Sequence, residues 1–352
     1  MKMKKLMLRA AAVLAAACLL ASAVGASPAV AARCAILVDA DSGRVLYEKD
    51  AGRRCLIAST TKIMTGLLIA EEGGLERAVI VPPEAAGVEG SSLYLKAGEE
   101  TTVEALLYGL MLRSGNDAAV ALAVASAGSV EAFVDRMNRR AAELGLADTH
   151  YANPNGLDDE ENYSTARDLA RLACAAMENP VLRQVTSTKR IQFGQRSFTN
   201  HNKLLWRCAG TVGVKTGYTK AAGRLLVSAA ERYGRRLVAV TINDPQDWRD
   251  HQALLEFGFA AMTPGSWGEA GDALGAVPVT GGTALLAQCC LEAPLAYALL
   301  EGETAAVRLC LPRFAFAPIA AGTRAGTAQL LVDGRIAAEA PIVWTGEVPA
   351  LE

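Results

Sequence analysis

The chain has 352 residues, 51% of them hydrophobic and 20% charged, with a formal net charge of −2. A balance this close to neutral offers no electrostatic footprint for nucleic acid, so no nucleic-acid partner is expected. The apolar fraction is that of a folded chain with ample core, and the length suits two domains.

The first 32 residues stand apart. Lys2, Lys4, Lys5 and Arg9 make a basic start, residues 10–24 are almost all Ala, Leu and Val, and "AVAA" at 29–32 offers a small-residue cleavage pattern. Residues 1–32 therefore read as a secretory signal peptide, which places the protein outside the cytoplasm. An uncleaved anchor is the rival reading, but the apolar run is short for a span. Seven cysteines follow, an odd number with no C-x-x-C pair. An exported chain can form disulfides. Most of these cysteines nonetheless read as small buried apolar residues.

"CAILVDA" and "RVLYEKD" flank Asp41-Ser42-Gly43 and read as a hairpin over 34–50. A helix is expected from Ser59 to the Gly73-Gly74 stop. "TVEALLYGLML" (102–112) repeats its apolar residues at i, i+3, i+4 and i+7, which predicts a mostly buried helix. "RSGN" interrupts it, and "DAAVALAVASA" resumes as a further helix capped by Asn116 or Asp117. "NPNGL" (153–157) is a loop by composition. "STARDLARLACAAM" (164–177) is a helix with Thr165 and Asp168 at capping-box spacing.

From 188 the period changes. "VGVKTGYT", "GRLLVSAAER" and "RRLVAVTIND" read as strands, the last two joined by Arg232-Tyr233-Gly234, and "DWRDHQALLEFGFAAM" (247–262) is a closing helix. Strands at both ends with helices between predict an α+β domain over 33–265, one antiparallel sheet covered by helices. Residues 270–352 shift to short strand-like runs with a hairpin turn at Asp333-Gly334, a small all-β domain.

Ser59 and Lys62 stand three apart, within reach on one helix face. A serine hydroxyl needs a base before it can attack, and a lysine serves as one only when its pKa is depressed. Burial and a second nearby cation both depress it. Alone, Ser-x-x-Lys carries a high false-positive risk. Two further elements change the odds: Ser114-Gly115-Asn116 in the break between two helices, and Lys215-Thr216-Gly217 on a strand. Their order and settings are those of the penicillin-recognising serine acyltransferases.

The sequence resembles the low-molecular-weight penicillin-binding proteins, the serine-type D-alanyl-D-alanine carboxypeptidases. The resemblance lies in "IASTTKIMT", "MLRSGNDAAVALA", "NPNGL", "YSTARDLA", "NHNKLLW", "GVKTGYT" and "WRDHQALLEFGF". It implies a transpeptidase/β-lactamase-like domain followed by the family's β-rich C-terminal domain. It implies that Ser59 attacks the carbonyl between the last two D-alanines of a peptidoglycan stem, that Lys62 takes its proton, and that Ser114 passes a proton to the departing D-alanine. Asn116 would hold Lys62 and the substrate amide, and Lys215 would keep Lys62 neutral. Thr216 and Arg249 would bind the terminal carboxylate, and the Ser59 and Tyr218 N–H groups would form the oxyanion hole beside Gly217. β-Lactams would be covalent inhibitors, and no metal or organic cofactor is implied.

Some positions depart from the family pattern. Tyr218, Asn155 and Asn162 stand where histidine is frequent, Val212-Gly213 where Asp-Gly is common, and His201 where some relatives have arginine. These touch substrate preference more than acyl transfer. The amphipathic membrane anchor that ends many relatives has no counterpart in "WTGEVPALE", which leaves peripheral membrane association open.

Among rivals, a Ser-His-Asp hydrolase lacks a nucleophile elbow among the three histidines. A class A β-lactamase needs a glutamate for its deacylating water, and "HYANPNGLDDEENYS" has no matching string. A D,D-endopeptidase would share the chemistry, but Arg249 favours a free terminal carboxylate.

Overall fold

The computed structural model describes residues 27–352. Most of the segment read as a signal peptide, residues 1–26, lies outside the described residues. Its last part does not. Val30 and Ala32 are buried against the core, and Lys49 Nζ donates to their carbonyls at 3.1 and 2.7 Å. A cut after residue 32 would remove these contacts.

Five antiparallel strands form the central sheet: β1 (Cys34–Asp39), β2 (Val45–Lys49), β3 (Thr211–Thr219), β4 (Gly223–Arg232) and β5 (Arg235–Ile242), in the order β2-β1-β5-β4-β3. The N-terminal hairpin and the late strands thus complete one sheet, β1 pairing with β5 from Cys34↔Ile242 to Asp39↔Leu237. Successive side chains point to opposite faces, and here both faces are buried. Ile36, Val38, Val227, Val238 and Val240 join the larger core, whereas Ala35, Leu37, Leu226, Leu237 and Ala239 join a second. That is why these strands read as continuous apolar runs rather than alternating ones.

Six helices pack with the larger core: α1 (Lys62–Glu72), α2 (Val103–Arg113), α3 (Asn116–Ala127), α4 (Val130–Glu143), α5 (Ala166–Glu178) and α6 (Pro180–Ser187). Helix α7 (Asp247–Ala260) covers the other face with Leu254, Leu255 and Phe259. Several helix starts are set by side-chain caps. Thr102 Oγ1 accepts from Ala105 N, Ser129 Oγ from Ala132 N, and Asn179 Oδ1 from Val181 N and Leu182 N. At α5, Thr165 Oγ1 accepts from Asp168 N at 3.0 Å. The reciprocal half of that capping box is absent, because Asp168 Oδ2 accepts from Asp148 N and Thr149 Oγ1 instead.

Two local expectations are corrected. The first helix does not begin at Ser59: residues Ala58–Thr61 form a 3₁₀ turn and α1 starts at Lys62. The start of α3 has Gly115 in the cap position, with no side-chain cap bond from Asn116. Asn116 spends its side chain elsewhere. Asp117 accepts from Ala118 N but turns mainly outward, taking the N–H groups of Leu93 and Leu95 and the Ser92 hydroxyl.

The C-terminal region is all strand among the described residues. A six-stranded sheet runs in the order Ala305–Cys310, Arg324–Val332, Arg335–Trp344, Leu286–Leu291, Ala273–Thr280, Ala315–Phe316. Met262–Ser266 pairs separately with Ala296–Leu300. Val277, Cys289, Leu330, Ile342 and Trp344 fill its own core. Its joint with the first region is part apolar, with Ala298 and Leu300 in the core of Leu37, Leu237 and Phe259, and part polar. Arg235, fully buried, donates to both oxygens of Asp39 at 2.9 and 2.7 Å and to both of Glu303 at 2.7 and 2.5 Å. Its guanidinium also reaches the Ala298 carbonyl, and the Tyr297 hydroxyl donates to Asp41.

Candidate active site

The 3₁₀ turn explains why Ser59 and Lys62 meet. Three residues complete one 3₁₀ turn, so i and i+3 eclipse. Lys62 Nζ lies 3.0 Å from Ser59 Oγ. The turn is held by Thr60, whose N–H and hydroxyl both donate to the Ile57 carbonyl. It is also pressed from outside. Gly156, in the "NPNGL" loop with φ +82°, approaches so closely that a Cβ there would sit 1.9 Å from the Ala58 oxygen. Only glycine fits that position.

Lys62 is completely buried. Its other two partners are Asn116 Oδ1 at 2.6 Å and the Asn155 carbonyl oxygen. None of the three is a carboxylate. Burial, and after it the charge of Lys215, hold its pKa well below the usual lysine value, and Asp117 opposes them weakly. As a neutral amine, Lys62 keeps two N–H donors for Asn116 and Asn155 and one lone pair. A lone pair 3.0 Å from a hydroxyl is what a base needs to take its proton.

Ser114 ends α2 in a left-handed conformation (φ 62°, ψ 30°) and is almost fully buried. The strained residue makes the break between α2 and α3 sharp, and Asn116, at the start of α3, reaches Lys62 from it. Asn116 is fixed at three points: its amide NH₂ donates to the Glu89 carbonyl, its N–H to Ser91 O, and its oxygen takes Lys62. His201 N–H donates to Leu112 O and ties down the same break.

Lys215 lies buried on β3, its Nζ donating to the Thr216 carbonyl at 2.9 Å. Burial lowers its pKa to about 7. Gly217 brings β3 against the serine turn, since a Cβ there would lie 3.4 Å from the Ser59 nitrogen. Thr216 is half-buried and Tyr218 exposed, and β3 is the last strand of the sheet, with no described strand on its outer edge.

Ser59, Lys62 and Asn116 are thus joined by hydrogen bonds, and Lys215 is close enough to act on Lys62 by charge. Ser114, Thr216 and Tyr218 share in none of these contacts, and neither does Arg249. It opens α7 with its side chain 65% exposed, and its guanidinium meets Asp250 at 3.2 Å. Three participants escaped sequence reasoning: the Asn155 carbonyl, the Glu89 carbonyl and the Asp117 carboxylate. The first two are backbone groups, which every residue carries. The signal that could have found them is glycine: Gly90 and Gly156 adjoin them with positive φ, and a Cβ on Gly90 would meet Asn116 Nδ2 at 2.8 Å.

The chain is 34% identical over 328 residues to the D-alanyl-D-alanine carboxypeptidase DacF of Bacillus subtilis, covering 88% of this chain and 84% of that protein. It is 32% identical over 342 residues to DacA of Escherichia coli, covering 92% and 85%. Its fold matches penicillin binding protein 5 from Haemophilus influenzae with a TM-score of 0.66 at 28% identity, over 92% of this chain and 99% of that one. The Streptomyces K15 DD-transpeptidase matches with a TM-score of 0.63 at 32% identity, over 66% of this chain and all of its own. The family description "D-alanyl-D-alanine carboxypeptidase" matches residues 21–246. A buried lysine beside a serine on this fold, with that match over most of the chain, makes the protein a member of the serine-type D-alanyl-D-alanine carboxypeptidase family, the S11 peptidases.

Proposed function

We propose that Ser59 is the nucleophile that removes the terminal D-alanine from peptidoglycan pentapeptide stems. The observation that carries this is Lys62: buried, 3.0 Å from Ser59, and without a carboxylate to hold its proton. Ser59 Oγ attacks the carbonyl carbon of the penultimate D-alanine while its proton passes to Lys62 Nζ. The oxygen of the tetrahedral intermediate accepts from the N–H groups of Ser59 and Tyr218, which the close approach at Gly217 brings together. The C–N bond then breaks. The nitrogen takes a proton through Ser114, and D-alanine leaves. Water attacks the acyl-enzyme, with Lys62 again the base, and frees the shortened stem.

Asn116 holds the amine and offers its amide to the substrate backbone. Lys215 discourages a proton on Lys62, and with Thr216 it draws the terminal carboxylate. Arg249 would reach that carboxylate by leaving Asp250, a motion its exposure permits. The open edge of β3 supports binding of the stem as an added strand. A β-lactam would acylate Ser59 in the same way. The activity would serve wall maturation and cell shape.

The proposal includes an extracytoplasmic location reached through the N-terminal signal, with the cut upstream of Val30, a catalytic domain reaching about 265 and a β-rich domain from about 270. No single described helix is long and apolar enough to cross a membrane.

The test pairs a fluorescent penicillin with a pentapeptide ending in D-Ala-D-Ala. Wild type should become covalently labelled and release D-alanine. Ser59→Ala should lose both, with turnover down at least about a thousandfold. Labelling that survives Ser59→Ala, or no D-alanine release by wild type, overturns the proposal. Rapid hydrolysis of the penicillin would favour a β-lactamase.

A further inference from the structure

Among the described cysteines, one pair has its sulfurs in contact: Cys34 Sγ and Cys55 Sγ are 3.9 Å apart. Cys34 opens β1 and is fully buried, and Cys55, half-buried, belongs to the two-residue strand Cys55–Leu56 that pairs with Tyr163–Ser164. That strand runs directly into Ile57, Ala58 and Ser59. Two buried thiols gain little from touching, because each is a weak donor and acceptor. A disulfide needs the sulfurs at about 2.05 Å, so closure asks for a movement of roughly 2 Å, within the reach of side-chain rotation at the less enclosed Cys55.

We propose that Cys34 and Cys55 are a disulfide-forming pair that staples the lead-in to the nucleophile turn onto the central sheet. In vivo persistence of the bridge rests on the extracytoplasmic location proposed above. The oxidant is a disulfide donor, either a dithiol-disulfide oxidoreductase or a small disulfide such as oxidised glutathione. The Cys55 thiolate attacks one donor sulfur, forming a mixed disulfide and expelling one donor thiolate. The Cys34 thiolate then attacks Cys55 Sγ and expels the second. The two cysteines lose two protons and two electrons in all, and the donor is reduced to two thiols.

Closure is the slower step. Burial, and next the neighbouring Cys55, push the Cys34 thiol up to about 11, with Asp50 adding to the rise and Arg53 opposing it. The thiolate fraction of Cys34 therefore grows with pH, and the bridge should close faster at pH 9 than at pH 7.

The experiment treats purified, fully reduced protein with oxidised glutathione, traps remaining thiols by alkylation, and maps peptides by mass spectrometry. The expected result is one linked peptide pair, Cys34 with Cys55, and a rise in Tm of about 5–10 °C over the reduced protein. Cys55→Ser should show neither the link nor the rise. Comparing oxidised and reduced wild type keeps the result independent of how any variant folds. Glutathione left on Cys55, or alkylation of both thiols after prolonged treatment at pH 9, overturns the proposal. The assay does not depend on where the cell places the protein. Export is tested separately by cell fractionation, so the two readings can fail independently.

Discussion

Two places in this protein bury cations, and they treat them in opposite ways. At the joint with the C-terminal region, Arg235 is enclosed by two carboxylates that take its donors in pairs. At the active site, Lys62 is just as buried but is given a hydroxyl, an amide oxygen and a peptide carbonyl. Its nearest buried charge of consequence is another lysine. The first arrangement makes a charge permanent. The second makes a proton easy to lose. Burial alone does not create a base; burial with the counter-ion withheld does.

Exchanging the two designs tests the comparison, and the largest effect is expected at the joint. Arg235→Met should cost about 3–5 kcal/mol of stability, because Asp39 would stay buried without compensation. Urea unfolding would measure it, and penicillin acylation by the folded fraction should be unchanged. A loss of acylation without a loss of stability would break the assignment of this network to structure.

Next in size is the reverse experiment. Asn116→Asp hands Lys62 the carboxylate it lacks while keeping the side-chain shape. Lys62 should then hold its proton, and the acylation rate should fall about a hundredfold with Tm little changed. Unimpaired acylation would mean that the neutral partner set is irrelevant.

The smallest effect is on pH dependence. Lys215 lowers the pKa of Lys62 by repulsion, so Lys215→Met should raise it. Activity lost on acidification would then be lost earlier, with the acid limb of the acylation profile moving to higher pH. A shift to lower pH, or none, would remove Lys215 from that role.

The two clusters also differ in how readable they were. Ser59-x-x-Lys62, Ser114-x-Asn116 and Lys215-Thr216-Gly217 are short local strings; the last two lie in the settings expected, a helix break and a strand, while Ser59 lies in a turn ahead of the helix expected to start at it. Residues 39, 235 and 303 share no string, and their meeting is created by the sheet order and the joint. Helices α4 and α6 and the hairpin of Arg190–Phe193 with Arg196–Thr199 were also passed over. Two of these three elements are only four to eight residues long, where periodicity has little to repeat. The 3₁₀ start of the nucleophile turn was hidden for another reason. It depends on how closely Gly156 presses on Ala58, a contact almost a hundred residues away in the chain.

The open edge of β3 has one more consequence. A strand with unpaired N–H and C=O groups is a template for any extended peptide, including another copy of the same chain. Most proteins cover such an edge with a further strand or a helix, and α6 covers the start of this one, where the Thr186 hydroxyl donates to the Val212 carbonyl. Beyond it, no described strand pairs with the outer edge. Lys220 stands exposed near its end, where charge discourages self-pairing. Substitutions that neutralise this rim should shorten shelf life before they change turnover.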